Sequence, residues 1–531
     1  MAYPNRSPLL QPNAERHPRL STVPPPDTAA RDAALRFLLD RIDYERMQSI
    51  PVYGWEARLE KTRDLFRRLG IAAGDGPDSR PGDCPNFRPS ENGTVPLVHP
   101  STFPIFHIAG TKGKGSTAAM LAAMLSAAGR STGLFTSPHL DRLEERMTVD
   151  GRCCSPEEFV ELVEQIKPVV AEMDRESTAA GESGPTYFEL TTAMALLHFA
   201  RRNVAAAVLE VGLGGRLDAT NVCWPCVAVI TSISLDHTQQ LGDTPAAIAG
   251  EKAGIIKPGV PVVSGVTEDE PREVIRRVCR ERGCRLVELG VDFHFRYEPP
   301  RHLELAPACG RLDFSYRAGG RQWTLDDVPL ALPGRHQAAN AAVALAALAV
   351  VGPVFNRPTS GDDLESRPTF DAESRPAYWD SAIRSALANL AWPARVEVIS
   401  RRPAVVLDTA HNAASVAALV RTLEESFSVE RQLLLFATTR DKDLRGMLQC
   451  LLGRFDAVAF TRYVENSRSV PPEELAALAK ELSGRDYPVF PNPATAWAAV
   501  RPQAGPNDLI CIAGSFYLAG EMRRMWAGML E

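Results

Sequence analysis

The sequence predicts an α/β protein in two parts. A larger parallel-sheet domain built on a phosphate loop occupies residues 31–392, and a smaller Rossmann-like α/β domain occupies 394–531. Three observations predict this. Residues 103–117, FPIFHIAGTKGKGST, pass from an apolar strand through alternating glycines and lysines into an Ala/Met/Leu-rich helix closed by Gly129. Short apolar runs then alternate with helical stretches, the pattern of a parallel sheet covered on both faces. The alternation stops in a polar stretch and restarts at 394, and 531 residues are too many for one core.

In chain order, residues 1–30, with PPP at 24–26, read as a disordered tail. Residues 32–69 are helical with a break at Ile50-Pro51. A loose Pro/Gly/Asn/Asp-rich insertion at about 74–100, trailing to 104, precedes the nucleotide strand. The helix at 117–128 is followed by a strand at 133–136. Ser155-Pro-Glu-Glu158 is a capping box with proline in the first helical position, and it starts a helix expected to reach about 172. A buried helix at 187–202, strands at 204–211 and 227–232 and a helix at 245–254 continue the alternation. The run AAVALAALAVV at 341–351 is too short to span a bilayer and reads as a packed helix. Residues 353–380 form a polar surface excursion. Strands at 396–399, 404–407, 432–437, 457–460 and 509–513 build the second domain.

The chain carries 59 basic and 65 acidic residues, a balance of −6, so neither nucleic acid nor an anionic membrane is expected as a partner. No apolar h-region marks the first thirty residues. Ten scattered cysteines then read as reduced thiols in the cytoplasm. Cys223 and Cys226 form a CxxC that lacks the second pair a zinc site needs.

Chemistry concentrates where strands end. Gly110, Gly113 and Gly115 let backbone N–H groups turn inward around an anion at a helix N-terminus, Lys114 adds a cation for terminal phosphates, and Ser116 offers a hydroxyl to magnesium. The usual P-loop spacing is not met: Gly115 separates Lys114 from Ser116, and Ile108 stands where the first glycine belongs. The other reading of this stretch is an exposed turn. Ser137, Glu210 in LEVGLGGRLDATN, the pair Asp236-His237 and Lys252 in EKAGIIKPG are further polar groups at strand or helix ends. A buried carboxylate such as Glu210 needs a cation, and magnesium takes oxygen ligands. Taken singly, Glu210 is also readable as a loop cap, His237 as a structural histidine and Lys252 as a surface lysine.

In order, GTKGKGS, TSPHL with ERM, TYFELTTAMA, LEVGLGGRLDATN, ITSISLDHTQQLG, EKAGIIKPG, PGRHQAANA and LDTAHN resemble the folylpolyglutamate synthase and dihydrofolate synthase family, relatives of the Mur ligases. The resemblance runs from about residue 33 to the C-terminus apart from the two insertions. It implies a Mur ligase-like fold and an ATP-dependent ligase that adds L-glutamate to dihydropteroate or a folate through an acyl phosphate. By that resemblance Gly110, Thr111, Gly113, Lys114, Gly115, Ser116, Asn340, Arg395 and Asp408 contact the nucleotide. Ser116, Ser137, Glu210, His237 and a carboxylated Lys252 hold magnesium, two ions in all, with potassium as a further cation. Thr186, Tyr187, Phe188, Glu189, Leu217, Asp218 and Ala219 contact the pterin. Lys114, Glu210, His237 and Lys252 carry the catalytic roles, and a monomer acting on small molecules is implied. The family usually has glycine where Ala394 stands, and often where Thr409 stands. A Mur-type UDP-muramoyl ligase and a P-loop nucleotide-binding module without ligase activity are the alternatives.

Overall fold

The computed structural model describes residues 28–43, 55–71, 103–351 and 377–530. The Ile50-Pro51 break, the 74–100 insertion and nearly all of the tail and of the 353–380 excursion lie outside the described residues. Two expectations are trimmed at their edges: a helix already starts inside the expected tail, at Thr28–Leu39, and another inside the excursion, at Ala377–Asn389.

The first sheet has strands β1 (Ile105–Ala109), β2 (Thr132–Phe135), β3 (Met147–Val149), β4 (Arg152–Cys153), β5 (Ala206–Glu210), β6 (Val227–Ile230), β7 (Val262–Ser264) and β8 (Leu286–Glu288), in the order β4-β3-β2-β5-β1-β6-β7-β8. Strands β2, β5, β1, β6, β7 and β8 run parallel, and β3 and β4 close one edge antiparallel. Every residue of β1 and β5 is buried, which is why these strands read as unbroken apolar runs instead of alternating ones. On one face lie the helices Lys114–Ala127 and Arg335–Val351, the second being the alanine-rich run expected to pack. On the other lie Pro156–Ala179 and Tyr187–Arg201. Each Val, Leu or Ile sealed between these layers contributes about 1.5–3 kcal/mol, so the strand ends that carry the polar residues are held firmly.

The helix that starts at the Ser155 cap runs to Ala179, past the expected end near 172. Its last turns are tied to the N-terminal helices by Arg41 on Asp174 at 2.7 Å and Arg68 on Glu176 at 2.7 Å, partners too distant in sequence for a local pattern to show. Between the two parallel sheets the chain makes an antiparallel sheet of β9 (Phe293–Glu298), β10 (Gly310–Ala318) and β11 (Arg321–Leu330), for which the alternation gave no sign. The last sheet, β12 (Glu397–Arg401), β13 (Ala404–Leu407), β14 (Gln432–Phe436), β15 (Ala457–Phe460) and β16 (Leu509–Ala513), is ordered β12-β13-β16-β14-β15. It is parallel except for β12, which pairs antiparallel with β13. Among the described residues, no helix is long and apolar enough to cross a membrane.

Candidate active site

The loops at the C-terminal ends of β1, β2, β5 and β6 in the first sheet, and of β13, β14 and β16 in the last, line one cavity of about 900 Å³. Open α/β sheets bind ligands at such ends, beside the strand where the order reverses. Here that strand is β1, and the glycine loop follows it.

The loop closes into its helix earlier than the sequence pattern suggested, at Lys114 and not at 117. Gly113 sits at φ 81°, a left-handed turn, and a Cβ there would lie 2.1 Å from Asn340 Oδ1. That turn lets the Thr117 N–H bond Gly113 O at 2.8 Å, so Lys114, Gly115 and Ser116 form the first helical turn with N–H groups free for an anion. The other arm of the loop is clamped: Thr111 N donates to Ser232 O at 2.7 Å, and Thr231 Oγ1 donates to Lys112 O at 2.6 Å.

Glu210, the last residue of β5, is 4% exposed. Burial pushes its carboxyl up, opposed by the Lys114 ammonium, 4.0 Å from Oε1, and by the Ser137 N–H, 3.1 Å from Oε2. A Cβ on Gly115 would come within 3.3 Å of Glu210 Oε2, so glycine leaves the space in front of this carboxylate open. Lys252, in the last turn of the Pro245–Ala253 helix, is buried in the cavity wall. It is therefore not a surface lysine. Burial, then the Lys114 charge, push its amine down to about 7.

Asp236 and His237 face the other domain. Asp236 accepts from Lys442 Nζ at 2.8 Å and from Asn412 Nδ2 at 3.2 Å. Burial would raise its carboxyl, but Lys442, helped by His237 and His411, holds it below the usual range. His237 takes a left-handed φ of 49°, and its Nε2 lies 3.4 Å from Lys442 Nζ. The ring expected to face a metal is thus turned to an ammonium, because the Asp236 charge draws Lys442 there.

From the second domain, the Arg395 guanidinium stacks 5.0 Å over the Phe516 ring, and Asp408 takes the Val396 and Ala410 N–H groups at 2.9 and 2.7 Å. Ala394 has φ 53°, the left-handed turn that glycine fills without strain. Thr409 has an ordinary negative φ but buries an unpartnered hydroxyl.

At the far end, Thr186 caps the Tyr187–Arg201 helix in a capping box with Glu189. Thr186, Phe188, Glu189, Leu217, Asp218 and Ala219 line the cavity. Asp218 commits its oxygens to its own loop, accepting from Leu213 N at 3.0 Å and from Thr220 N at 3.0 Å. Tyr187 is a correction: it does not line the cavity but is packed in the core, with the Arg146 guanidinium 5.2 Å over its ring. The first turn of a helix points its successive side chains in different directions, and Phe188, not Tyr187, faces the opening. All the other residues expected to contact nucleotide, metal or pterin line this one cavity. Lys442, His411 and Asn412 were missed as site residues. The rule that found Glu210, a charged group just after an apolar strand, also marks Lys442 in TTRDKD after β14.

Two sheets with a glycine loop and charged strand ends around a shared cavity fit an ATP-dependent ligase of the Mur ligase class, and the family matches assign it there. The Mur ligase middle domain pattern matches residues 108–348, and the Mur ligase glutamate ligase domain pattern matches 394–516. A dihydrofolate synthase/folylpolyglutamate synthase of Bacillus subtilis is 34% identical over 431 residues, 79% of this chain and 89% of that protein. The fold is similar to a folylpolyglutamate synthase of Mycobacterium tuberculosis complexed with ADP, with TM-score 0.75 and 30% identity, covering 94% of this chain and 98% of that one. It is also similar to E. coli FolC in complex with DHPP and ADP, with TM-score 0.70 and 28% identity over 94% of this chain and 98% of that one. The chain belongs to the folylpolyglutamate synthase and dihydrofolate synthase family, as its motifs suggested.

Proposed function

We propose that this chain joins the amine of L-glutamate to the carboxylate of a pterin acid, dihydropteroate or a reduced folate or both, through an acyl phosphate made with ATP. The observation that carries this reading is the single cavity in which the glycine loop, Glu210, Lys252 and Lys114 of the first domain meet Arg395, Asp408 and Lys442 of the second. A carboxylate oxygen of the acceptor attacks the terminal phosphorus and ADP leaves. The glutamate amine then attacks the acyl carbon, and phosphate leaves as the amine loses its proton.

Both steps bring anions together, and the residues fit that need. The N–H groups at Lys114–Ser116 and the Lys114 ammonium hold the triphosphate. Arg395 and Asp408 reach the nucleotide from the second domain, tying nucleotide binding to domain closure and water exclusion. Phe188 and the 217–219 turn form the wall against which the pterin lies. A buried, under-compensated Glu210 with open space before it suits magnesium, with Ser116 and Ser137 as further oxygen ligands. Magnesium bound there offsets the repulsion between the acceptor carboxylate and the triphosphate. Lys252, pushed to about 7, is partly uncharged near neutral pH, the form that adds carbon dioxide. As a carbamate it presents oxygens in place of a positive charge. One chain supplies both sides of the cavity, so a monomer suffices.

The test is product mass analysis with ATP, L-glutamate and either dihydropteroate or a tetrahydrofolate. A product heavier by one glutamyl residue with at least one acceptor is expected. ADP release indifferent to both acceptor and glutamate would overturn the reading.

A further inference from the structure

Away from the cavity floor lies a second set of side chains with metal-ligand chemistry. The Cys154 sulfur, a carboxylate oxygen of Glu158 and a ring nitrogen of His198 all lie within 4.8 Å of one another. Cys154 and His198 are each 2% exposed, and Glu158 is half-buried. Three elements bring them together. Cys154 follows β4 and is fixed by its N–H on Met147 O at 2.9 Å. Glu158 closes the capping box of the Pro156–Ala179 helix, and His198 sits in the last turn of the Tyr187–Arg201 helix.

The chemistry of the trio is zinc-like. Tetrahedral zinc holds sulfur at about 2.3 Å and imidazole nitrogen at about 2.0–2.1 Å, so its ligand atoms stand roughly 3.3–3.8 Å apart. With the three atoms within 4.8 Å of one another, closing onto an ion needs shifts of at most about 1–1.5 Å. A thiolate and a carboxylate cancel a divalent charge, leaving a neutral buried centre. Thiolate with imidazole selects zinc over magnesium. The Cys154 thiol has only a long donation to Ser155 O, 3.6 Å, to satisfy it. Glu158 keeps an outer partner in Arg202, Nε to Oε1 2.7 Å, of the kind that orients metal-bound carboxylates. Burial lowers His198 and raises the Cys154 thiol, so a metal binding here has to displace the thiol proton.

We propose that Cys154, Glu158 and His198 bind one zinc-class divalent ion, with water as the fourth ligand. The ion ties the β4 edge to the C-terminal end of the helix whose first turn, with Thr186, Phe188 and Glu189, lines the cavity. Binding forms a metal–sulfur bond and releases the thiol proton to solvent. The role is structural, and the site is separate from the oxygen-rich magnesium set.

The test is cobalt(II) titration of the full chain after chelator treatment. A sulfur-to-cobalt charge-transfer band in the near ultraviolet should saturate at one equivalent and be displaced by zinc. Cys154→Ser should abolish the band and lower affinity by at least about 100-fold. Cys153→Ser and Glu210→Gln should retain it, separating this site from the cavity and from the proposed reaction. Zinc should raise the unfolding midpoint of the parent chain but not of Cys154→Ser, whose metal-free form should still unfold in one cooperative transition, excluding misfolding. Absence of the band at one equivalent, or its persistence in Cys154→Ser, overturns the site.

Discussion

Glu210, the last residue of β5, and Asp236, in the loop after β6, both have carboxylates with little exposure, yet they are held in opposite ways. Glu210 has a cation no nearer than 4.0 Å and one backbone N–H, and burial pushes its carboxyl up. Asp236 has the Lys442 ammonium at 2.8 Å and the Asn412 amide besides, and its carboxyl is held down. The first charge is left wanting a cation, while the second has been given one by the other domain. A carboxylate that the fold does not compensate marks the place for a ligand, and one that it compensates across a domain boundary marks a latch.

The comparison breaks first at Glu210. Glu210→Gln should lower glutamate-dependent ADP release by at least about 1000-fold, and Lys114→Ala similarly, since both act on charge in the reaction itself. The midpoint of unfolding of Glu210→Gln without ligands should be unchanged or higher, because an uncompensated buried charge is gone. A large loss of stability with activity retained would make Glu210 structural. Asp236→Asn should do the reverse. It takes the nearer carboxylate from the Lys442 ammonium, leaving only Asp441 at 3.5 Å, and should cost about 1–3 kcal/mol in chemical denaturation. Lys442→Met should cost a similar amount, and the double variant should recover most of the loss. Additive losses would show that the two do not act as a pair.

Lys252→Ala sharpens the contrast between oxygen-rich and cationic ends. Its turnover should fall roughly 100-fold, by loss of a group that stabilises the reacting charges, and rise again with a small added carboxylate. Absence of rescue would remove the carbamate from the account. The smallest effect is expected at the hinge-side turn. Ala394→Gly relieves a left-handed backbone and should stabilise the chain by about 0.5–1 kcal/mol, the strain relieved exceeding the entropy that glycine adds to the unfolded chain. A fall in the unfolding midpoint would show the turn to be unstrained.

The sequence carried the Glu210 end far better than the Asp236 end. Glu210, Lys114 and Ser116 lie on a strand end and a glycine loop, where periodicity breaks into polar residues and the break is visible in one dimension. Strands β13, β15 and β16 fall at the expected residues for the same reason, being unbroken apolar runs. Lys442 is marked by the same break after β14, but its role is not legible there, because its partner Asp236 lies 206 residues away. Tyr187 and the β9–β11 sheet failed for local reasons. Adjacent aromatic residues in a first helical turn do not say which one faces inward, and the antiparallel sheet has no alternation with helices to announce it. The turn at Ala394 was noticed only as a departure from glycine, and the φ of 53° supplies its physical content.

The central claim is that phosphate is passed to the acceptor's own carboxylate before the amide forms. It is tested most directly by supplying dihydropteroate or a tetrahydrofolate labelled with oxygen-18 in the reacting carboxyl and analysing the inorganic phosphate released with L-glutamate and ATP. One labelled oxygen in each phosphate formed is the predicted result. Phosphate free of label, with labelled amide product accumulating, would contradict it.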